Sequence, residues 1–176
     1  MIKKLSKSQS KALRYVNNAR SKDRARPVLN TLRVDKDCLV AIDGFRLHAI
    51  KYIMDDLESG NLYNLGGNII PNEGFFEIEK SIIDPGTYPN YAKVFPQKEP
   101  AAIIHVDARF LTEAISRSSK NAKVTIKYYA ENKAIEVYTE DDCGIPAYAL
   151  IMPMYIDGSA EYWRPSSSKE ENDEPA

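Results

Sequence analysis

Lys7, Lys11 and Arg14 recur at i, i+4 and i+7, the spacing that puts three cations on one face of a helix. Such a face can meet phosphates without reading bases. A second cationic set, Arg109, Arg117 and Lys120, recurs further along and is opposed by Glu113. Residues 1–26 hold nine basic residues (Lys3, Lys4, Lys7, Lys11, Arg14, Arg20, Lys22, Arg24 and Arg26) against the single acid Asp23. The formal net charge of the chain is nevertheless −1. That total argues against a generally basic nucleic-acid coat protein and conceals a local basic face.

Catalytic chemistry finds little material. Two histidines, His48 and His105, rule out a multi-histidine metal site, and two distant cysteines, Cys38 and Cys143, supply neither a disulfide framework nor a zinc cluster. His48 on a strand reads as a structural histidine. Asp55-Asp56 and Asp141-Asp142 lie in turn-like contexts and read as solvated. No nucleophile–base pairing, Gly-rich phosphate loop or metal-ligand spacing rises above background. The expectation is a protein that is not an enzyme, with no catalytic residues, no metal and no cofactor.

The elements that position the cations follow from periodicity. The chain has 176 residues, 43% of them hydrophobic and 28% charged, which suits one globular domain with a tail. No apolar run is long enough to span a membrane and no apolar signal core opens the chain, so a soluble, cytoplasmic protein is expected. Ser6 or Ser8 caps a helix running to about Arg20. Its apolar face is Ala12, Leu13, Tyr15, Val16 and Ala19, and its outer face is Lys7, Lys11, Arg14 and Asn18. Strands are expected at Val28–Val34, Cys38–Ile42 and Phe45–Tyr52, with turns at Asp35-Lys36-Asp37 and Asp43-Gly44.

Residues 53–100 read as a connector with edge strands at Asn68–Pro71 and Phe75–Ile78, a turn at Asp84-Pro85-Gly86, and extended chain imposed by Pro89, Pro96 and Pro100. The first pattern then returns. A strand at Ala101–Val106 precedes a helix capped by Asp107 and running to about Lys120, with Leu111, Ala114, Ile115 and Ser118 as its buried stripe. Strands follow at Val124–Tyr129, Ile135–Thr139 and Pro146–Met152. The fold class expected is α+β: two strand–helix–three-strand units, their helices side by side on antiparallel sheet. The division is a single domain over 1–156 (first unit 1–52, connector 53–100, second unit 101–156) and a disordered acidic tail over 157–176.

Three segments carry a resemblance. Ala41-Ile42-Asp43-Gly44-Phe45-Arg46-Leu47 is similar to the Ala-Thr-Asp-Gly-His-Arg-Leu of bacterial DNA sliding clamps, the beta subunit of the replicative polymerase. Tyr88-Pro89-Asn90-Tyr91-Ala92-Lys93-Val94-Phe95-Pro96 resembles that family's Phe-Pro-Asp-Tyr-Arg-Arg-Val-hydrophobic-Pro, and Tyr148-Ala149-Leu150-Ile151-Met152-Pro153-Met154 its Tyr-Val-Val-Met-Pro-Met. The three occur in family order and the likeness covers roughly residues 5–156. It joins the first half of one clamp domain to the second half of the next, so the chain looks like a shortened relative with a DNA-clamp-like fold.

The resemblance implies a non-catalytic processivity factor or accessory protein of DNA replication and repair. By position, a peptide-binding pocket would be formed by Gly44, Arg46, Leu47, Pro89, Lys93, Val94, Leu150, Met152, Pro153 and Met154. Its partners would be clamp-binding peptides of polymerase, loader or repair proteins. Ile42, Phe45 and Tyr155 replace the usual Thr, His and Arg and leave the rim less polar. The helix faces would hold double-stranded DNA weakly and non-specifically through Lys7, Lys11, Arg14, Arg109, Arg117 and Lys120. The family ring has twelve helix-plus-strands units and this chain two, so a homo-oligomeric ring would need six copies. The alternative is a monomeric or dimeric adaptor that binds clamp-interacting proteins without encircling DNA. The aromatic pair Tyr162-Trp163 could fill the pocket from the same chain.

Overall fold

Ile2-Lys3-Lys4-Leu5 forms a strand, β1 (Ile2–Leu5), that the hydropathy pattern disguises. Ile2 and Lys4 point to solvent, while Lys3 is buried beside Leu5 and its ammonium donates to Asp56 at 2.6 Å. The computed structural model describes residues 1–154 apart from 52, 53, 55, 68, 96–102, 117, 119–121, 130–133, 141 and 142. The chain divides into two compact units between Pro96 and Gln97.

In the first unit Ser6 starts α1 (Lys7–Asn17) through a capping box. Its hydroxyl accepts from the Gln9 amide at 3.2 Å, and its own amide donates to the Gln9 side chain at 2.8 Å. Ala12, Leu13 and Val16 are buried as the stripe requires, but Tyr15 is 48% exposed and its ring stacks on His48 at 4.7 Å. The expected strand over Val28–Val34 is corrected. Pro27 opens a 3-10 turn over Pro27–Asn30, and Thr31 ends it by donating its hydroxyl to the Val28 carbonyl at 2.7 Å. The strands that follow are β2 (Leu32–Asp35), β3 (Cys38–Ile42) and β4 (Leu47–Ile50).

The stretch read as a connector is part of this unit's sheet. It supplies β5 (Leu62–Leu65) and β6 (Gly74–Lys80), giving the antiparallel order β1-β6-β5-β2-β3-β4. Phe75–Ile78 therefore lies between two strands rather than at an edge, and Ile69, Ile70 and Pro71 form no strand. Alternation in β2 and β3 fills two cores. Leu32, Val34, Leu39 and Ala41 pack with Leu13 and Val16 of α1. Cys38 and Val40 on the opposite face pack with Leu62, Tyr88 and Tyr91. Short 3-10 turns at Pro85–Thr87 and Tyr91–Val94, opened by the side chains of Asp84 and Asn90, carry the two tyrosines over that face. Full burial of each aliphatic side chain contributes about 1.5–3 kcal/mol, so covering both faces is what makes so small a sheet stable.

The second unit holds α2 (Ala108–Ala114) and the antiparallel sheet β7 (Thr125–Lys127), β8 (Ile135–Glu140), β9 (Pro146–Ile151). Asp107 caps α2, accepting from the Arg109 amide at 2.7 Å. The helix ends well short of Lys120. Ser116 donates its hydroxyl to the Glu113 carbonyl, the Ser116 and Ser118 amides bond three residues back, and Ile115 is left exposed. Ile103–Val106 has no strand pairing, although the His105 carbonyl accepts from the Met154 amide at 2.7 Å. Ile135, Val137 and Ile151 form the core, with Leu111 and Ala114 packed on it.

Candidate peptide pocket and basic faces

The turn between β3 and β4 is built by one carboxylate. Asp43 accepts from the amides of Phe45 and Arg46 at 2.9 and 3.0 Å, and from the Arg46 guanidinium at 2.9 Å. Burial works against the ionised form, yet these three bonds win and hold the Asp43 carboxyl below its ordinary value. Gly44 sits at φ +94°, a conformation that favours glycine. The turn thereby leaves Phe45 99% exposed at its tip, while Ile42 and Leu47 at its base pack on the Tyr88–Tyr91 core.

Between this turn and the segment carrying Tyr88 and Tyr91 lies a cavity of about 390 Å³. Of the ten residues in the expected pocket set, Gly44, Arg46, Leu47 and Pro89 line it. It is also lined by Arg26, Leu29, Ile42, Phe45, Asn90 and Tyr91, which that pocket set omits. Arg26 was legible only as one of nine basic residues, and Leu29 as part of a strand; the Pro27 turn is what brings both to the cavity. Lys93 is exposed and does not line it, and Val94 belongs to the 3-10 turn beside it. The apolar floor and two guanidinium groups suit a peptide, with aliphatic or aromatic side chains below and carbonyl or carboxylate groups at the rim.

Leu150, Met152, Pro153 and Met154 belong to the second unit. There Leu150, Met152 and Met154 are 50–63% exposed, and Pro153 is half-buried. On the outer face of that sheet Glu136 accepts from Tyr129 and Tyr138 at 2.8 and 2.7 Å, and these two bonds lower its carboxyl below the ordinary value.

The basic faces are smaller than their spacing suggests. Lys7 and Lys11 are exposed, but Arg14 is half-buried, donating to the Ser10 carbonyl at 3.3 Å and to the Asn72 side chain. Arg109 is exposed, 3.6 Å from Asp107 and above the Phe110 ring. Arg117, Lys120, Tyr155 and the 157–176 tail with Tyr162-Trp163 lie outside the described residues. Among the described residues no three His, Cys, Asp or Glu side chains gather as a metal site, and no helix is long and apolar enough to cross a membrane.

Beneath the cavity lies a buried polar cluster that the sequence reading missed. Arg33 donates its Nε to both carboxylate oxygens of Asp35, at 3.0 and 2.9 Å, and one terminal nitrogen to the Pro85 carbonyl at 3.1 Å. Tyr91 donates its hydroxyl to the same carboxylate, and Arg33 lies 5.8 Å from the Tyr88 ring centre. Burial raises the Tyr91 hydroxyl, reinforced by its bond to Asp35, and burial likewise raises Tyr88. Burial first, then the charges of Asp37 and Asp35, push the Cys38 thiol up to about 12. A strand reading Leu-Arg-Val-Asp signals one exposed polar face, and the buried pair inverts that signal.

No protein-family model and no curated protein matches the chain. Solved structures do. The chain is similar to Caulobacter crescentus pol III beta, with a TM-score of 0.54 and 15% identity over 90% of this chain and 53% of that one. It is also similar to the DNA polymerase sliding clamp from Bacillus subtilis, with a TM-score of 0.53 and 21% identity over 90% and 50%. The chain spans about half the length of the structures it matches. These likenesses establish a sliding-clamp-like fold of antiparallel sheets and a few helices.

Proposed function

We propose that the chain is a non-catalytic, clamp-like binding protein of DNA replication or repair that receives short partner peptides in the cavity beside the β3–β4 turn. The observation that carries this reading is the cavity: an apolar floor of Leu29, Ile42, Leu47 and Tyr91 with Arg26 and Arg46 at its edge. The fold it shares with sliding clamps supports the same assignment, and exposed Leu150, Met152 and Met154 give the second unit an apolar set of its own. Lys7, Lys11 and Arg14, and Arg109, Arg117 and Lys120 in the second unit, would meet double-stranded DNA weakly and without sequence preference. A cytoplasmic setting follows from that role.

A labelled clamp-binding peptide of a bacterial replicative polymerase tests the reading by fluorescence anisotropy. Phe45 lines the cavity yet is fully exposed, so Phe45→Ala leaves the fold unchanged and should weaken the peptide by about 1–2 kcal/mol. Equal affinity in wild type and variant refutes the assignment.

A second reading is an adaptor that binds clamp partners through the same cavity without encircling DNA. Light scattering separates the two. A mass near 19.9 kDa supports the adaptor, and six times that mass supports a homo-oligomeric ring.

A further inference from the structure

We infer that Arg33, Asp35 and Tyr91 are positioning residues for the peptide cavity, clamping its Pro89–Asn90 wall from beneath; this rests on the peptide-binding reading. Pro89 and Asn90 belong to no strand and sit between two short 3-10 turns. Two bonds from the buried pair flank them. The Arg33 guanidinium donates to the carbonyl of Pro85, before the wall, and the Asp35 carboxylate accepts from the hydroxyl of Tyr91, after it.

The clamp is stiff because its base is. Arg33 and Asp35 alternate with Leu32 and Val34 in a strand paired on both edges, and their side chains are 4% and 0% exposed. The planar guanidinium holds the carboxylate through one nitrogen while another is directed at Pro85, so a shift of either partner moves both ends of the wall. The same geometry fixes the Tyr91 ring, which itself lines the cavity. Neither Arg33 nor Asp35 lines it, so both act through the wall. Apolar residues of similar volume would cohere as well, and what the charged pair adds is the two directed bonds, to Pro85 and from Tyr91.

The test compares wild type and Tyr91→Phe, which removes one hydroxyl and keeps the ring, in two measurements. The first is affinity for the labelled polymerase peptide. The second is amide hydrogen exchange, which needs no peptide. The expected result is a five-fold or greater loss of affinity with exchange accelerated at residues 88–92 and unchanged across α1 and β2–β5. Unchanged affinity overturns the inference, and so does lost affinity with wild-type exchange at 88–92. Uniformly faster exchange throughout the unit reduces the cluster to a structural role and also overturns it. Arg33→Lys keeps the charge and loses the fork, and should accelerate exchange at 85–91; if it does not, the Pro85 clamp is absent. If wild type binds no peptide, the peptide-binding reading fails, while the exchange data still decide whether the cluster holds the wall.

Discussion

Asp35→Ala leaves the Arg33 guanidinium buried without its carboxylate. In the wild type that carboxylate is fully buried and accepts two bonds from Arg33 and one from Tyr91. Breaking a buried pair from one side costs about 3–5 kcal/mol, because the orphaned charge keeps its desolvation cost. For a unit the size of Met1–Pro96 a total stability of roughly 5–14 kcal/mol is ordinary. The variant should therefore lose a large part of it. With a urea dependence of about 1–2 kcal/mol per molar, the midpoint should fall by roughly 1.5–5 M, read by circular dichroism. Glu58→Gln, which breaks an exposed pair with Lys80, should leave the midpoint unmoved. Replacing both partners, Arg33→Met with Asp35→Leu, should recover most of the loss. An Asp35→Ala protein within about 1 kcal/mol of wild type would refute the argument that this pair is buried and coupled.

Three further outcomes are expected. At pH 8 a thiol near 12 is ionised to about one part in ten thousand, so iodoacetamide should label exposed Cys143 and spare Cys38; mass spectrometry finding native Cys38 alkylated contradicts this. The lowered Asp43 carboxyl makes the turn's stability fully present above its ordinary 3.8 and lost as pH falls through the lower folded value. Peptide affinity should thus be level from pH 7 down to about 4 and fall only as pH drops through that lower folded value, and an affinity that already falls between pH 6 and 5 would remove Asp43 from the turn's support. Exchanging Lys7 and Lys11 for Glu should abolish DNA retention at low salt, and wild-type affinity should fall with a log–log salt slope of about −0.9 per phosphate neutralised; unchanged retention removes this face.

The parts of the fold legible in the sequence are those where local pattern and tertiary role agree. Ser6 as a helix cap, the Ala12, Leu13 and Val16 stripe of α1, the Cys38–Ile42 strand and the Asp43-Gly44 turn all obey rules that need only neighbours in the chain. What escaped reading depends on partners far away. Lys3 is buried because Asp56 meets it, whereas in the sequence it counts only as one of the nine basic residues of 1–26. Leu62–Leu65 is four residues between glycines, and it becomes a strand because β2 and β6 flank it. In the cavity, Gly44, Arg46, Leu47 and Pro89 came from the motif resemblance, whereas Arg26 and Leu29 arrive through a proline turn that no motif marks. Arg14 was readable as a cation but not as one already engaged with Asn72, 58 residues on.

Whether partner peptides occupy the cavity beside the β3–β4 turn is read by an amide-resolved NMR titration of the isotope-labelled chain with the polymerase clamp-binding peptide. Saturable shifts are expected at the amides of Gly44, Phe45, Arg46, Leu47, Asn90 and Tyr91, with those of α1 unmoved. No shift at millimolar peptide, or shifts confined to residues outside that set, would contradict that occupancy.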